Sequence, residues 1–185
     1  MKTIRWGIIG CGDVTEVKSG PGFQKAENST LVAVMRRNGD LAKDFAERHG
    51  VPKWYDDGDA LINDPDVDAV YIATPPNAHL EYTRKAAAAG KPVYVEKPMA
   101  LNFAECLEMI EACRTADVPL WVAYYRRALP RFRKVKELLD SGAIGKPQLA
   151  TITLYQQSRK ETLDPDNLPW RVRPEIAGAG IFFDL

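Results

Sequence analysis

Histidine and cysteine are scarce in this sequence: two of the first and three of the second occur among 185 residues. Neither His49 nor His79 has a partner at metal-ligand spacing, so the pattern offers no zinc site. Cys11, Cys106 and Cys113 are odd in number and form no CxxC. That speaks against a disulfide framework and for a reducing, cytoplasmic setting. An excess of either charge is also missing. Lys+Arg and Asp+Glu both total 25, and a general nucleic-acid binder carries a basic excess, so nucleic acid is not an expected partner. No apolar run reaches the length of a bilayer span, so no membrane partner is expected. The opening MKTIRWGIIG has too short an apolar stretch for a signal peptide and runs straight into a glycine loop.

What is present is ordinary globular material, 45% apolar and 27% charged, enough for one core. Short β-branched or aromatic runs at 4–9, 31–35, 70–73, 93–95 and 120–123, with a weaker one at 53–55, alternate with helical patterns. The alternation predicts βαβ units and a doubly wound parallel sheet. Asp40 can cap a helix that buries Leu41, Phe45 and Ala46 and stops at Gly50. Asn77 can cap a second, running to Gly90 through four alanines. Asn102 and Glu105 form a capping-box-like pair ahead of Phe103, Leu107 and Ile110 at helical spacing. Cys106 and Cys113 share a face of that helix.

After residue 125 the pattern changes. Residues 126–141 read as an amphipathic, basic helix, 148–157 as one extended strand, and the last eight residues as an apolar run. One strand and a loop cannot bury enough surface alone. The expectation is a dinucleotide-binding Rossmann domain over 1–125, then the start of an incomplete α/β substrate and oligomerisation domain over 126–185.

The sharpest motif is Gly7-Ile-Ile-Gly-Cys-Gly-Asp-Val, placed after the first strand and opening a helix, the context a dinucleotide fingerprint requires. Gly10 permits the tight turn, and Gly12 lets a pyrophosphate approach the backbone. Asp13 and Val14 begin the helix whose N–H groups and dipole favour negative charge. The third position of the motif is Thr15 rather than glycine, which predicts a looser helix–strand approach. The second strand ends in Met35-Arg36-Arg37-Asn38, where an NAD enzyme typically places an acidic residue. Arginine instead suits a 2′-phosphate. One charge-assisted hydrogen bond of about 1.5–3 kcal/mol gives roughly 10- to 150-fold preference for NADP, with NAD as the lesser coenzyme.

Two further motifs carry a resemblance. Thr74-Pro-Pro-Asn-Ala-His79 follows the fourth strand and Glu96-Lys-Pro98 the fifth. With the glycine loop, and with Tyr124-Tyr-Arg-Arg127, Trp170-Arg171 and Gly178-Ala-Gly-Ile-Phe-Phe-Asp184, they resemble the glucose–fructose oxidoreductase/inositol dehydrogenase (Gfo/Idh/MocA) family along the whole chain. The resemblance implies a Rossmann domain followed by an α/β domain on a large open sheet. It implies hydride transfer between nicotinamide and a hydroxyl or oxo carbon of a sugar, cyclitol or related diol. Lys97 would be catalytic, orienting the substrate and aiding its proton transfer. Glu96 would contact the nicotinamide ribose, and Thr74, Pro75 and Asn77 would line the dinucleotide cleft. Trp170 and Arg171 would reach back over the coenzyme. Homo-oligomers are expected of the full-length enzyme. The family's acid/base histidine would fall just beyond Asp184, where this sequence ends, so the 185-residue form is expected to bind coenzyme better than it turns substrate over. His49 reads as a helix-terminal residue and His79 as a packing or capping one. The alternatives are a non-catalytic dinucleotide-binding module and a methyltransferase, the latter disfavoured by Arg36 and Arg37.

Overall fold

The computed structural model describes residues 2–155, 157, 164 and 166–180. By contacts the chain divides into two units, Met1–Ala123 with Trp170–Leu185, and Tyr124–Pro169.

The first unit is built on six parallel strands in the order β3-β2-β1-β4-β5-β6. They are β1 (Ile4–Ile9), β2 (Ser29–Met35), β3 (Lys53–Tyr55), β4 (Ala69–Ile72), β5 (Val93–Val95) and β6 (Leu120–Val122). The order reverses between β1 and β4, the switch point of a doubly wound sheet, where a crevice opens beyond the carboxyl ends of the strands. β1 and β4 are covered on both faces, which is why β4 is buried at every residue and reads as a continuous apolar run.

Two apolar layers fill the space between sheet and helices. One holds Ile8, Val34 and Tyr71 against Phe45 and Ala46 of helix α2 (Gly39–His49), with Phe23 of α1 (Gly20–Lys25) packed beside them. The other holds Ile9, Val70, Ile72 and Val95 against Leu61 and Ile62 of α3 (Gly58–Ile62), Ala86 and Ala87 of α4 (His79–Ala88) and Met109 and Cys113 of α5 (Phe103–Thr115).

Local signals decide most helix ends. Asn102 caps α5 by accepting from the Glu105 N–H at 3.0 Å, as its spacing predicts. Asn38, not Asp40, caps α2, accepting from the Leu41 N–H at 3.1 Å. Gly50 closes α2 in the left-handed conformation. Asn77 caps nothing: it lies in a 3₁₀ turn, Pro76–Ala78, and α4 begins at His79.

The apolar side of α5 differs from its expected one. Phe103, Leu107 and Ile110 face outward, Phe103 being 76% exposed, while Met109 and Cys113 are buried and Cys106 packs beside them. Two apolar stripes run along this helix. The one that packs on the core carries Cys106, Ala112, Cys113 and Ala116 alongside Met109.

The second unit holds a 3₁₀ turn, Tyr125–Ala128, and α6 (Pro130–Asp140). The expected helix over 126–141 is thus interrupted ahead of Pro130, which sits in the first turn where its missing N–H costs nothing. Lys136 pairs with Asp140 at 2.7 Å along the solvated side. The extended strand expected over 148–157 is not formed at 148–155 or 157. A strand needs a neighbour to take its hydrogen bonds, and the described residues of this unit supply none.

The two stripes of α5 separate in a stability measurement. Met109→Ala should lower unfolding stability by about 2–5 kcal/mol, as core truncations do, and Phe103→Ala by less than about 0.5 kcal/mol, read by urea titration of each variant.

Candidate functional site

The glycine loop lies between the ends of β1 and β2. Gly10 and Cys11 both donate their N–H to the Met35 carbonyl, at 2.8 and 3.1 Å. Gly10 has φ +91°, and a Cβ there would stand 2.9 Å from the backbone of Ala73 and Thr74. No other residue fits. Gly12 is different in kind. Among the described residues other than its chain neighbours, the nearest atom to its Cβ position is the Gly10 carbonyl oxygen at 3.9 Å, so its small size leaves space rather than relieving contact.

Residues 13 and 14 open the following helix, which becomes a π-helical turn over Thr15–Ser19 before continuing as α1. Thr15, standing where the motif prefers glycine, is fully buried and donates its hydroxyl to the Gly12 carbonyl at 2.7 Å. The wider turn takes up the larger residue, and Gly20 makes it feasible. The Gly20 N–H reaches the Thr15 carbonyl, and a Cβ on Gly20 would lie 2.2 Å from that oxygen. The looser approach expected from Thr15 is met by an inserted residue, a device that recurs at functional sites.

Arg36 and Arg37 are exposed at the end of β2, between the strand and the Asn38 cap. The Arg36 N–H bonds to the Tyr55 carbonyl at 3.1 Å, fixing where the backbone leaves the sheet. Behind them Cys11 is fully buried, and burial pushes its thiol up to about 11 against the pull of Arg36, so it stays protonated.

The His79 ring lies between the loops after β4 and β5. The ring is fully buried at the start of α4, with Nε2 2.8 Å from the Thr74 carbonyl and Nδ1 3.0 and 3.1 Å from those of Pro98 and Met99. Burial lowers its pKa, opposed by these carbonyls; a neutral ring has one N–H, so it donates to one of the two loops and meets the other by packing. His79 is therefore a brace, as its expected packing role implies. Beside it the Thr74 hydroxyl is buried with no hydrogen-bond partner among the described residues. Pro75 is half-buried and Asn77 exposed on the same loop.

Glu96 leaves β5 with its carboxylate turned back. The Tyr71 hydroxyl donates to Oε1, and the Lys97 N–H donates to Oε2 at 3.0 Å. Lys97 is half-buried, and the Lys97–Pro98 peptide is cis. Trp170 and Arg171 lie in a 3₁₀ turn, the guanidinium 4.4 Å over the indole ring. The following helix α7 (Pro174–Ala177) packs on the Pro76–Ala78 turn, with Ala177 buried. Gly10, Gly12, Thr74, Glu96 and Lys97 thus share the carboxyl edge of the sheet, and Trp170–Ala177 approaches the same β4 loop. Residues 181–185, which complete the terminal motif, lie outside the described residues, and with them the Asp184 position expected to precede the family histidine.

Several structural partners give no signal in the sequence. Glu16 on the π-turn accepts from Arg48 at 2.6 Å and meets His49 at 2.7 Å, binding that turn to α2. Its carboxyl is held down at about 2, first by the Arg48 hydrogen bond. Tyr71 is one residue of an apolar strand, and Gly20 one of a Gly-Pro-Gly run that reads as a turn. Only the three-dimensional pairing distinguishes them.

The arrangement suits a dinucleotide. The space above Gly12, the first-turn N–H groups without intrahelical acceptors, the solvent-facing arginines and the unpartnered Thr74 hydroxyl all ask for polar, anionic company. Among the described residues no cluster of His, Cys, Asp and Glu could hold a metal ion, and no helix is long and apolar enough to cross a membrane.

Comparison with known proteins agrees with that geometry. The family model described as "Oxidoreductase family, NAD-binding Rossmann fold" matches residues 4–124, and that of the GFO/IDH/MocA C-terminal domain matches 132–185. The chain is 52% identical to Oxidoreductase P35 of Formosa agariphila, over 98% of this chain and 57% of that protein. It is 37% identical to myo-inositol 2-dehydrogenase of Thermotoga maritima, over 81% of this chain and 45% of that one. Among solved structures, a mutant 3-ketoreductase from Actinomadura kijaniata, in complex with TDP-benzene and NADP, superposes with TM-score 0.83 at 28% identity, over 99% of this chain and 54% of that one. The chain spans about half the length of the curated relatives it matches.

The Glu16 carboxyl gives the cleft an acid limit. Its folded pKa lies below the ordinary value, so its contribution is complete above about 4.5 and is lost as pH falls toward about 2. Glu16→Gln should be less stable than wild type by up to about 1 kcal/mol at neutral pH, and the two melting temperatures should converge as pH is lowered through that window.

Proposed function

Because this chain belongs to the Gfo/Idh/MocA oxidoreductases, matched in both their NAD-binding Rossmann fold and their C-terminal domain, we propose that its first 125 residues bind NADP and that the whole protein transfers hydride between the nicotinamide and a hydroxyl or oxo carbon of a sugar, cyclitol or related diol. The observation that carries this reading is the meeting of three loops at the β1/β4 switch point. Gly10 closes on the backbone of Ala73 and Thr74, while the next strand end brings Glu96 and Lys97. A polyol relative, the Thermotoga maritima myo-inositol 2-dehydrogenase, supports the substrate class.

Each residue then has a task. The amides of Gly12, Asp13 and Val14 hold the diphosphate at the helix N-terminus, with the open Gly12 position admitting its oxygens. Arg36 and Arg37 take the 2′-phosphate of the adenosine ribose, where a guanidinium fork matches phosphate geometry. Thr74, Pro75 and Asn77 line the middle of the cleft. Glu96 receives the nicotinamide ribose, and Trp170 with Arg171 covers the coenzyme from the far side. The coenzyme carries the hydride. Lys97 orients the substrate and moves a proton at its reacting oxygen, a service worth about 10²–10⁴-fold. We place residues 126–185 at the start of the substrate domain. The three cysteines are free, with Cys11 and Cys113 buried, which supports a reducing, cytoplasmic home.

Titration of the chain with NADPH, followed by nicotinamide fluorescence, tests the coenzyme reading; absence of saturable binding would refute it. Arg36→Ala should weaken NADPH at least about 10-fold while changing NADH affinity little, and equal losses would remove the 2′-phosphate assignment. In the whole protein, Lys97→Ala should lower kcat at least about 100-fold with NADPH affinity retained; unchanged turnover would take Lys97 out of the chemistry.

A further inference from the structure

Tyr71 is a fully buried side chain in β4, its ring 5.0 Å from that of Phe23 and 5.2 Å from that of Tyr94. The surroundings are apolar and aromatic, and a phenylalanine would fill the same volume. A hydroxyl taken into such a place costs free energy unless it finds a partner. Its partner is Glu96 Oε1, 25 residues further on and one strand away.

That bond leaves the Glu96 carboxylate gripped at both oxygens, by the phenol on Oε1 and by the Lys97 N–H on Oε2. Each carboxylate oxygen offers about two lone-pair directions, so one on each remains for something arriving from the cleft. Burial and the neighbouring carboxylate together raise the phenol well above the usual tyrosine range, so it remains a donor throughout the working pH range. The ring itself packs on Phe23 of α1, and the hydroxyl at its tip is given to the acid beside Lys97.

We propose that Tyr71 is a positioning residue for the coenzyme: by fixing Glu96 it presents that carboxylate to the ribose hydroxyls next to the nicotinamide. The role rests on the reading that Glu96 receives that ribose. Without the phenol, Glu96 regains its rotamers and loses one of two charge-assisted contacts. It then has to be ordered again each time the coenzyme binds, and affinity falls by that cost. The effect falls at the nicotinamide end, because the hydroxyl that Tyr71→Phe removes is bonded to Glu96 and the ring that packs on α1 is kept.

Two probes read the two ends separately. NADPH carries the nicotinamide riboside, and 2′,5′-ADP lacks it. In the 185-residue chain, Tyr71→Phe should raise the Kd of NADPH about 3- to 10-fold and leave that of 2′,5′-ADP unchanged. In a Glu96→Ala background, adding Tyr71→Phe should have no further effect on NADPH, since the intermediary is gone. An unchanged NADPH affinity would overturn the role. So would equal weakening of both probes, which marks a merely structural effect, and so would additive losses in the double variant. Wild-type protein that bound neither probe would refute the coenzyme reading itself, an outcome distinct from wild-type binding with an indifferent Tyr71→Phe.

Discussion

The fold and the cleft both depend on one contact: the backbone of Gly10 pressed against the peptide joining Ala73 and Thr74, 2.9 Å from where a side chain would begin. At that point β1 hands over to its helix, β4 starts its own loop, and the strand order turns back on itself. The two Met35-directed N–H bonds hold the loop from the β2 side. With both edges fixed, the helix N-terminus is aimed at the crevice rather than along the sheet. The residues from β4 and β5 then arrive at a place already determined by the first ten residues of the chain.

Much of this is legible in the sequence because the relevant signals are local. A strand covered on both faces must be apolar throughout, and β1, β2, β4 and β5 appear where such runs occur. Gly10 and Gly12 are readable because their spacing follows a strand. Asn102 is readable because a cap acts over three residues. The cap of α2 lies two residues before its expected place because Asn38 and Asp40 are both competent, and only the backbone's exit from β2 chooses between them.

What stays hidden is whatever depends on a partner distant in sequence. Which of the two apolar stripes of α5 packs on the core is decided by tertiary contact, which periodicity cannot report. Residues 148–155 alternate like a strand, yet alternation does not provide the neighbour that pairs with it. At the cleft, Glu16 meets residues more than thirty positions away, and Tyr71 meets Glu96 across a strand boundary. The motifs include Gly10 and His79, whereas Glu16, Gly20 and Tyr71, which hold the same region, belong to none. Thr15 shows the same division: its mismatch with the glycine pattern is visible at once, and its accommodation by a π-turn and Gly20 is not.

His79 has one more consequence. Its ring lies between the Thr74 carbonyl on one loop and those of Pro98 and Met99 on the other, so both segments pack on one buried side chain. Substitutions that displace residues 74–77 and those that displace residues 96–99 act on the same buried ring. Their effects will be epistatic. Lineages that reshape either segment therefore repack the imidazole as well, or vary surfaces that it does not touch.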